Sequence, residues 1–575
     1  MNAATAHRGP DGTAVAVFKG ATFGHNRLAI IDPEPRSNQP MMSVDGQFAL
    51  ILNGEIYNFK ELKKELSDYP FRTESDTEVV LAGYQKWGGA VFERLNGMYA
   101  VAIYENKTNT VILARDPVGI KPLYISKTQQ GYAFSSEIKA LLTLGIPRTL
   151  NRNAFDVYMR TLYVPAPATM FAGVEHVMPG TVVRITGREL DMKKFSYRAQ
   201  AASLDWCDTK GLKQAVIGSV SRQLLSDRPL GIYLSGGIDS SAILASAAQI
   251  RGSMDTFSVS FALSEEEEAG KFNADADLAR RSARHYGATH HDFVVLPEEV
   301  FPLFEKAVYH LDQPIGNATV AAQAALSAFT RDKAVVVLTG DGGDEVFGGY
   351  ERYRLSQLMD AAQRSITPGL MRAFPHPTVQ KLGIESLTDR FALFHFQKDH
   401  ELSDVLTQLP TKPSIDLYDA KNLMEADRHT WLVDEALVRT DKLGMAGGIE
   451  ARPPLLDLEL MAAVRDIPFE RHVSMFDTKI LLKRAFKDTL PRWILNQPKR
   501  GWFSPGAKWL RHGALTDAID AALAPGFASG TDELFNWQGV RAALAAHRAR
   551  RAYRAPALIA LLVFQLWSKR FGISV

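Results

Sequence analysis

The stretch Ser235-Gly236-Gly237-Ile238-Asp239-Ser240-Ser241 combines residue types that can bind phosphate groups. It follows an apolar run ending at Leu234 and opens a segment with a helical pattern. Two glycines allow a tight turn whose N–H groups face an anion, and a helix N-terminus adds unpaired donors and a positive dipole end. Asp239 would repel a bare phosphate, so its expected partner is a magnesium ion carried by the phosphate. The competing interpretation is a Ser/Gly turn with an aspartate near a helix cap.

A second loop has similar chemistry. The apolar run Val335–Leu338 leads into Thr339-Gly340-Asp341-Gly342-Gly343-Asp344-Glu345. Ligands of open α/β sheets gather at the carboxyl ends of the strands, so both loops are expected at one site. The chain has no GxxxxGK[ST] sequence, which disfavours Walker-type transfer of the γ-phosphate, and the spacing of an EF-hand is absent. Together the loops predict a site for a nucleotide and its metal.

Two patterns of secondary structure surround these loops. Up to about residue 195 the sequence has short strand-like runs separated by turn residues, which favours layered sheets with a few helices. The runs are Gln47–Leu52, Met98–Tyr104, Val111–Arg115 and Gly131–Ser135, with helices at Asn58–Leu66 and Thr77–Trp87. Residues 199–210 have the composition of a connector. From 211 apolar strands alternate with helical segments, which predicts a parallel α/β sheet, and beyond Tyr350 the pattern is mostly helical. These strands are Leu230–Leu234, Thr256–Phe261 and Ala334–Leu338.

The composition excludes several classes of protein. The 575 residues are 46% apolar and 23% charged, as expected for two to four globular units. Lys and Arg total 66 against 64 Asp and Glu, so nothing indicates a nucleic-acid partner. The single cysteine, Cys207, excludes a disulfide within the chain and is interpreted as an ordinary thiol. Met1–Gly12 lacks the apolar core of a secretion signal, and Pro556–Trp567 is too short to span a bilayer. We therefore expect a cytoplasmic protein with a buried terminal helix and no membrane contact.

The two loops resemble the ATP-pyrophosphatase (PP-loop) module of the glutamine-dependent asparagine synthetase family. The resemblance extends along the chain through Asp434–Lys442, Glu450–Asp457 and Asn496–Trp502. It implies that ATP adenylates a carboxylate, that pyrophosphate leaves, and that ammonia attacks the acyl-adenylate. The implied cofactors are ATP and Mg²⁺.

The same resemblance implies roles for individual residues. Asp239 and Asp344 would hold magnesium-pyrophosphate, and Asp341 would lie where the acyl-adenylate forms. Lys499 would reach the adenylate, where a fixed cation stabilises charge on the leaving phosphates; the alternative is a surface lysine. The residues implied in ATP binding are Leu234, Ser235, Gly236, Gly237, Asp239, Ser240, Ser241, Val259, Thr339 and Gly340.

The front of the chain resembles a class II glutamine amidotransferase domain, which implies an Ntn-hydrolase αββα sandwich. The matching blocks are His7–Gly12, Gly24–Asp32, Asn53–Asn58, Ser75–Glu78 and Arg115-Asp116. The residue types suit glutamine. Arg27 can grip its α-carboxylate with a forked pair of hydrogen bonds, and Glu55 and Asp76 can hold its α-ammonium. The amide of Asn53 and the N–H of Gly54 can form an oxyanion hole.

The nucleophile that this family implies, a cysteine at the mature amino terminus, is not in the sequence. The chain begins Met1-Asn2, and Cys207 lies in the connector. Either the start is assigned too far downstream, or the protein is a variant that uses free ammonia or is inactive on glutamine. We favour the first, because a glutamine pocket without a nucleophile has no chemical use. As written, the chain is expected to lack glutaminase activity and to retain ammonia-dependent synthesis.

The expected domains are an amidotransferase domain at 1–195 (truncated at its N-terminus), a connector at 196–210 and a synthetase domain at 211–575. The expected reaction converts aspartate to asparagine with ATP, using glutamine or ammonia as the nitrogen source. One alternative is a relative that amidates another carboxylate in polysaccharide or natural-product synthesis. Another is a non-catalytic protein that uses both domains for binding only. The family often dimerises, so a homodimer is a further expectation of the resemblance.

Overall fold

The computed structural model describes residues 1–263, 269–365, 384, 386–411, 413–497, 504–511 and 515–575. The front part of the chain is built mainly from antiparallel strands. Its strands are β1 (Gly12–Val17), β2 (Thr22–Arg27), β3 (Met41–Met42), β4 (Phe48–Ile56), β5 (Gly97–Glu105), β6 (Thr110–Arg115), β7 (Tyr124–Thr128), β8 (Gly131–Ser135), β9 (Val174–His176), β10 (Thr181–Thr186) and β11 (Glu189–Lys194). Its helices are α1 (Phe59–Glu65), α2 (Asp76–Trp87), α3 (Ile138–Leu142) and α4 (Arg152–Thr161).

These strands form two facing layers. One layer is a six-stranded sheet in the order β11-β10-β6-β5-β4-β3, and the other contains the sheets β8-β7-β9 and β1-β2. Helices α1 and α2 cover the outer face of the six-stranded sheet, and α3 contacts β8. Strands β5 and β6 are buried almost throughout because both faces are covered, which explains their continuous apolar sequence. The predicted Ntn-type sandwich is confirmed.

The second half is organised around a five-stranded parallel sheet in the order β14-β13-β12-β15-β16. Its strands are β12 (Leu230–Tyr233), β13 (Asp255–Phe261), β14 (Thr289–Val295), β15 (Val336–Leu338) and β16 (Glu450–Arg452). The predicted parallel α/β fold with a helical C-terminal part is therefore confirmed. Strand β16 was not anticipated, because three residues are too few to show a strand pattern within a helical stretch. It pairs with β15, with Arg452 opposite Leu338.

Helices cover both faces of this sheet and form the rest of the half. They are α5 (Thr209–Gln223), α6 (Ile238–Arg251), α7 (Ala269–Phe272), α8 (Ala274–His285), α9 (Val300–Leu311), α10 (Thr319–Thr330), α11 (Gly343–Phe347), α12 (Glu351–Ser365), α13 (Leu387–His395), α14 (Asp399–Ser403), α15 (Leu423–His429), α16 (Val438–Ala446), α17 (Leu458–Val464), α18 (Phe469–His472), α19 (Ile480–Ala485), α20 (Arg492–Leu495), α21 (Gly506–Trp509), α22 (Thr516–Ala522), α23 (Trp537–Arg548) and α24 (Ala555–Phe571). A π-helical turn, Leu432–Leu437, leads into α16.

The terminal helix α24 is buried along most of its length, as predicted for Pro556–Trp567. It packs against α9, and the indole N–H of Trp567 donates to the carbonyl of Asp312 at 2.6 Å. Within the described ranges, no helix has both the length and the apolar character needed to cross a bilayer.

The segment between the two halves is fixed to the second half. The hydroxyl of Tyr197 and the N–H groups of Gln200 and Ala201 donate to the carboxylate of Glu459 in α17. Leu204 N–H donates to the carbonyl of Ala463 at 2.8 Å. The connector is thus held by hydrogen bonds, and α5 begins at Thr209, just before the expected end of the connector at 210.

Candidate active sites

The first glycine-rich loop joins β12 to α6 in a conformation that requires glycine. Gly236 has φ +72°, and a Cβ there would come within 2.5 Å of Leu278. Gly237 is the N-cap of α6, so the loop leads directly into the N-terminus of this helix. The buried hydroxyl of Ser241 has no hydrogen-bond partner among the described residues. A phosphate oxygen is an acceptor that this hydroxyl and the helix N–H groups can bind.

The second loop lies against the first, as the order β12-β15 in the sheet requires. A Cβ on Gly340 would be 3.2 Å from the Cβ of Asp239, and one on Gly343 would be 2.6 Å from its Cγ. Only glycine allows this close approach of the two loops. Leu234 and Val259, both implied in ATP binding, are buried directly after β12 and in β13. The structure therefore brings the predicted ATP-binding residues of both loops together.

Lys479 joins one acidic residue of each loop and was not anticipated from the sequence. Its Nζ contacts the carboxylate of Asp239 and lies 2.5 Å from Oδ1 of Asp344. The lysine side chain is only 3% exposed. Burial acts to lower the Lys479 pKa, but the two carboxylates outweigh it and raise the pKa, so the ammonium stays charged. The cation assigned by resemblance, Lys499, lies outside the described residues.

Asp341 interacts with residues of the π-helical turn and α16. Thr440 Oγ1 donates to its carboxylate at 3.2 Å. Burial raises the Asp341 pKa, and the nearby Arg439 opposes that shift. Arg439 is itself anchored by Glu435, with 3.1 Å between Nε and Oε1. π-Helical turns are often found at functional sites. Here Glu435 of the turn, Arg439 of α16 and Asp341 of the second loop interact with one another.

The predicted glutamine-binding residues line one cavity of about 860 Å³. They are Arg27, Asn53, Gly54, Glu55 and Asp76. Gly54 has φ +145°, and a Cβ there would come within 1.9 Å of the carbonyl oxygen of Met98, so the position requires glycine. The amide of Asn53 donates to Oγ of Ser136 at 3.1 Å. The structure thus groups all five residues on one cavity wall.

Two of the five have partners that the sequence did not reveal. The guanidinium of Arg27 donates to main-chain carbonyls of the following loop, including Asp32 at 2.5 Å and Glu34 at 2.9 Å. Glu55 forms an ion pair with Arg452 of the second half, 3.0 Å between Oε2 and Nη2. Its other oxygen, Oε1, has no hydrogen-bond partner among the described residues. Glu55 therefore has one oxygen fixed and one able to bind a ligand.

Asp76 is buried at the N-terminus of α2, where it accepts N–H bonds from Ile56 at 2.9 Å and Thr77 at 2.7 Å. Burial raises the pKa of its carboxyl to about 6, and the two N–H donors limit the rise.

His25 also lines the cavity and was not singled out from the sequence. Burial lowers its pKa to about 4, so the ring is neutral, and its Nδ1 has no partner among the described residues. Cys207 is exposed and does not line this cavity.

The cavity is not confined to the front half. Its lining includes Met445 at the end of α16 and Glu450 at the start of β16. Helix α16 also carries Thr440, the partner of Asp341. Helix α16 therefore contributes one residue to the cavity and another to the surroundings of Asp341.

Comparisons with known proteins give matches to both halves of the chain. Residues 211–569 match the family model described as asparagine synthase, and residues 1–196 match a glutamine amidotransferase domain. Asparagine synthetase [glutamine-hydrolyzing] 1 of Bacillus subtilis (strain 168) is 31% identical over 599 residues, covering 99% of this chain and 92% of that protein. Asparagine synthetase [glutamine-hydrolyzing] 3 of the same organism is 29% identical over 515 residues, covering 86% and 81%. Amidase chry2 of Gibberella zeae is 24% identical over 642 residues, covering 99% and 93%.

Proposed function

We propose that this chain, which belongs to the asparagine synthase family, makes asparagine from aspartate with ATP. The nitrogen would come from glutamine or ammonia. Residues 1–195 would serve as the amidotransferase domain and residues 211–575 as the synthetase. The observation that carries the proposal is the meeting of both glycine-rich loops at Lys479, between the carboxylates of Asp239 and Asp344. This arrangement suits a triphosphate whose pyrophosphate becomes the leaving group.

The acidic pair fits magnesium, because carboxylate oxygens are its usual protein ligands. Asp239 and Asp344 would hold the ion, which neutralises phosphate charge when bound. The N–H groups at the start of α6 and the hydroxyl of Ser241 would bind phosphate oxygens. Lys479 would stabilise the charge that grows on pyrophosphate as the acyl-adenylate forms, an interaction stronger in the transition state than in the ground state.

Asp341 would act in the second half-reaction. Its raised pKa suits a group that accepts a proton from the attacking nitrogen, and Thr440 fixes its orientation. In the front half, Glu55 Oε1 and Asp76 would bind the ammonium of glutamine, while the Asn53 amide and the Gly54 N–H would face its amide oxygen. The part of the cavity lined by Met445 and Glu450 would let ammonia move between the sites without meeting bulk water. Exclusion of water would protect the adenylate from hydrolysis.

The direct test is to identify the nucleotide product. The purified chain is incubated with ATP, Mg²⁺ and aspartate, with glutamine in one arm and ammonium chloride in the other. We expect AMP and pyrophosphate in equal amounts to asparagine in at least the ammonium arm, and no reaction with glutamate, whose side chain is one methylene longer. Formation of ADP and orthophosphate would contradict the proposed chemistry.

A second candidate, amidation of a different carboxylate, is favoured by one finding. The amidase of Gibberella zeae aligns with this chain over nearly its whole length although its name does not refer to asparagine. Uronic acids and peptides with free carboxylates replace aspartate in the same assay. AMP release with one of these acids and none with aspartate would select this candidate and reject asparagine synthesis.

Glutamine binding is expected to strengthen as the pH rises from 5 to 7.5. The raised Asp76 pKa, about 6, means that this carboxyl is mostly neutral at pH 5 and cannot pair with the ligand's ammonium. Above pH 6 the Asp76 carboxyl is mostly ionised and can pair with the ligand's ammonium. Isothermal titration should show an affinity about tenfold higher at pH 7.5 than at pH 5. In Asp76→Asn this pH dependence should become smaller and come from Glu55 alone, because burial also raises the Glu55 pKa; an unchanged profile in that variant would assign the whole dependence to Glu55.

A further inference from the structure

Arg452 makes contacts toward both sites from a single buried position. Its side chain is fully buried, and its guanidinium pairs with Glu55 at 3.0 Å and with Glu450 at 2.8 Å. Nη1 donates to the carbonyls of Gln223 at 3.0 Å and Leu225 at 2.5 Å. All three of its guanidinium nitrogens are thus bonded, so the side chain links Glu55 of the front half to groups of the second half.

The main chain of the same residue holds the second ATP loop. The carbonyl of Arg452 accepts the N–H of Thr339 at 2.9 Å, at the point where β15 ends and the loop begins. Thr339 is therefore one hydrogen bond away from Arg452, and Arg452 is one ion pair away from the wall of the glutamine cavity. A single residue, Arg452, thus connects the two sets of proposed ligand-binding residues.

Glu55 shares its carboxylate between Arg452 and the cavity. Oε2 binds the guanidinium, while Oε1 has no partner among the described residues. A ligand ammonium at Oε1 would favour the ionised carboxylate and so strengthen the pair on Oε2. In a buried setting an ion pair responds strongly to such a change, because no water screens it.

We propose that Arg452 is a positioning residue that couples glutamine binding at Glu55 to the ATP loop starting at Thr339. This rests on the proposed function, because it takes Glu55 to bind the ammonium of glutamine. Glutamine fixes Glu55, Glu55 fixes the guanidinium, and the carbonyl of Arg452 holds the Thr339 N–H in place for ATP. Coupling of this kind is reciprocal, so ATP also tightens glutamine binding by the same factor.

The test is an equilibrium titration of a non-hydrolysable ATP analogue with Mg²⁺, with and without saturating L-glutamine. In the wild-type chain glutamine should tighten analogue binding about fivefold or more. In Arg452→Met and Arg452→Lys the analogue should bind alone as in the wild type and glutamine should bind more weakly, while the tightening of analogue binding by glutamine falls to near onefold. The matched control is Arg160→Met, since Arg160 is also a buried arginine, bonded to Asp399 at 2.8 Å and to the carbonyl of Thr411. In Arg160→Met glutamine should tighten analogue binding as much as in the wild type.

A second measurement uses the wild type alone and does not depend on a variant that folds. Hydrogen exchange at the Thr339 amide should slow when glutamine is added without nucleotide, because its acceptor, the Arg452 carbonyl, is then held more firmly. Unchanged exchange, or unchanged coupling in Arg452→Met, would overturn the inference. If both ligands bind the wild type independently, the inference fails and the proposed function stands. If either ligand fails to bind the wild type, the proposed function fails and the coupling with it.

Discussion

Lys479→Met should lower kcat for pyrophosphate formation by about two to three orders of magnitude. Methionine has a similar length and suits a buried position, so the variant removes the charge with little change in volume. The lysine contacts both carboxylates of the phosphate site, which places its ammonium where charge would grow on the leaving group. Because that charge is larger in the transition state than in ATP, the Kd for the nucleotide should change much less than kcat.

The matched control is Lys483→Met, one helical turn further along α19. Its ammonium pairs with Asp477 near the surface and touches neither acidic loop. Its kcat should stay within about twofold of the wild type. Both variants are compared by pyrophosphate release under saturating substrate and by titration of a non-hydrolysable ATP analogue. Normal turnover by Lys479→Met would show that Lys479 does not stabilise the leaving group, and would favour Lys499 in that role.

Asp239→Asn should reduce pyrophosphate release to below about 1% of the wild-type rate. The substitution keeps the shape of the side chain but removes a charged oxygen ligand from the proposed magnesium site. Glutamine binding in the front half should be unaffected. Part of the lost rate should return at high Mg²⁺ concentration if the carboxylate acts through metal affinity.

Asp255→Asn is the matched control for this variant. Asp255 starts β13, and its carboxylate pairs with the ring of His291 at 2.9 Å, away from the loops. Its activity should remain near that of the wild type. Full activity in Asp239→Asn would remove the aspartate from the mechanism. Absence of pyrophosphate release from the wild type itself, with ligand binding intact, would favour the non-catalytic hypothesis.

The sequence allowed the fold class and both glycine-rich loops to be predicted, for identifiable reasons. The strand before each loop is a short apolar run, and the carboxyl ends of neighbouring parallel strands must meet at one edge of a sheet. Gly236 and Gly54 stand at positions where the backbone excludes a side chain, so the motifs that contain them depend on backbone shape. A strand followed by a glycine-rich turn involves only neighbouring residues, so a short stretch of sequence is enough to predict it.

Lys479 and Arg452 could not be found in this way. Lys479 lies 240 residues from Asp239, and Arg452 lies 397 residues from Glu55. Neither residue is surrounded by a pattern that distinguishes a buried cation from an exposed one. Their burial follows from how the halves and loops pack, and this information is spread over the whole chain. Strand β16 was missed for a related reason, since its neighbour β15 supplies the pairing that makes three residues a strand.

The charges between the two halves limit how the halves can move. Arg8 and Lys121 of the front half pair with Asp441 at 2.9 and 3.0 Å, and Arg452 reaches back to Glu55. These side chains are nearly all inaccessible to solvent. Swinging one half away from the other as a hinge would separate opposite charges before water could replace the lost partner, at a cost of several kcal/mol for each pair. We therefore expect the two halves to behave as one rigid body during the proposed reaction, with conformational change confined to the loops.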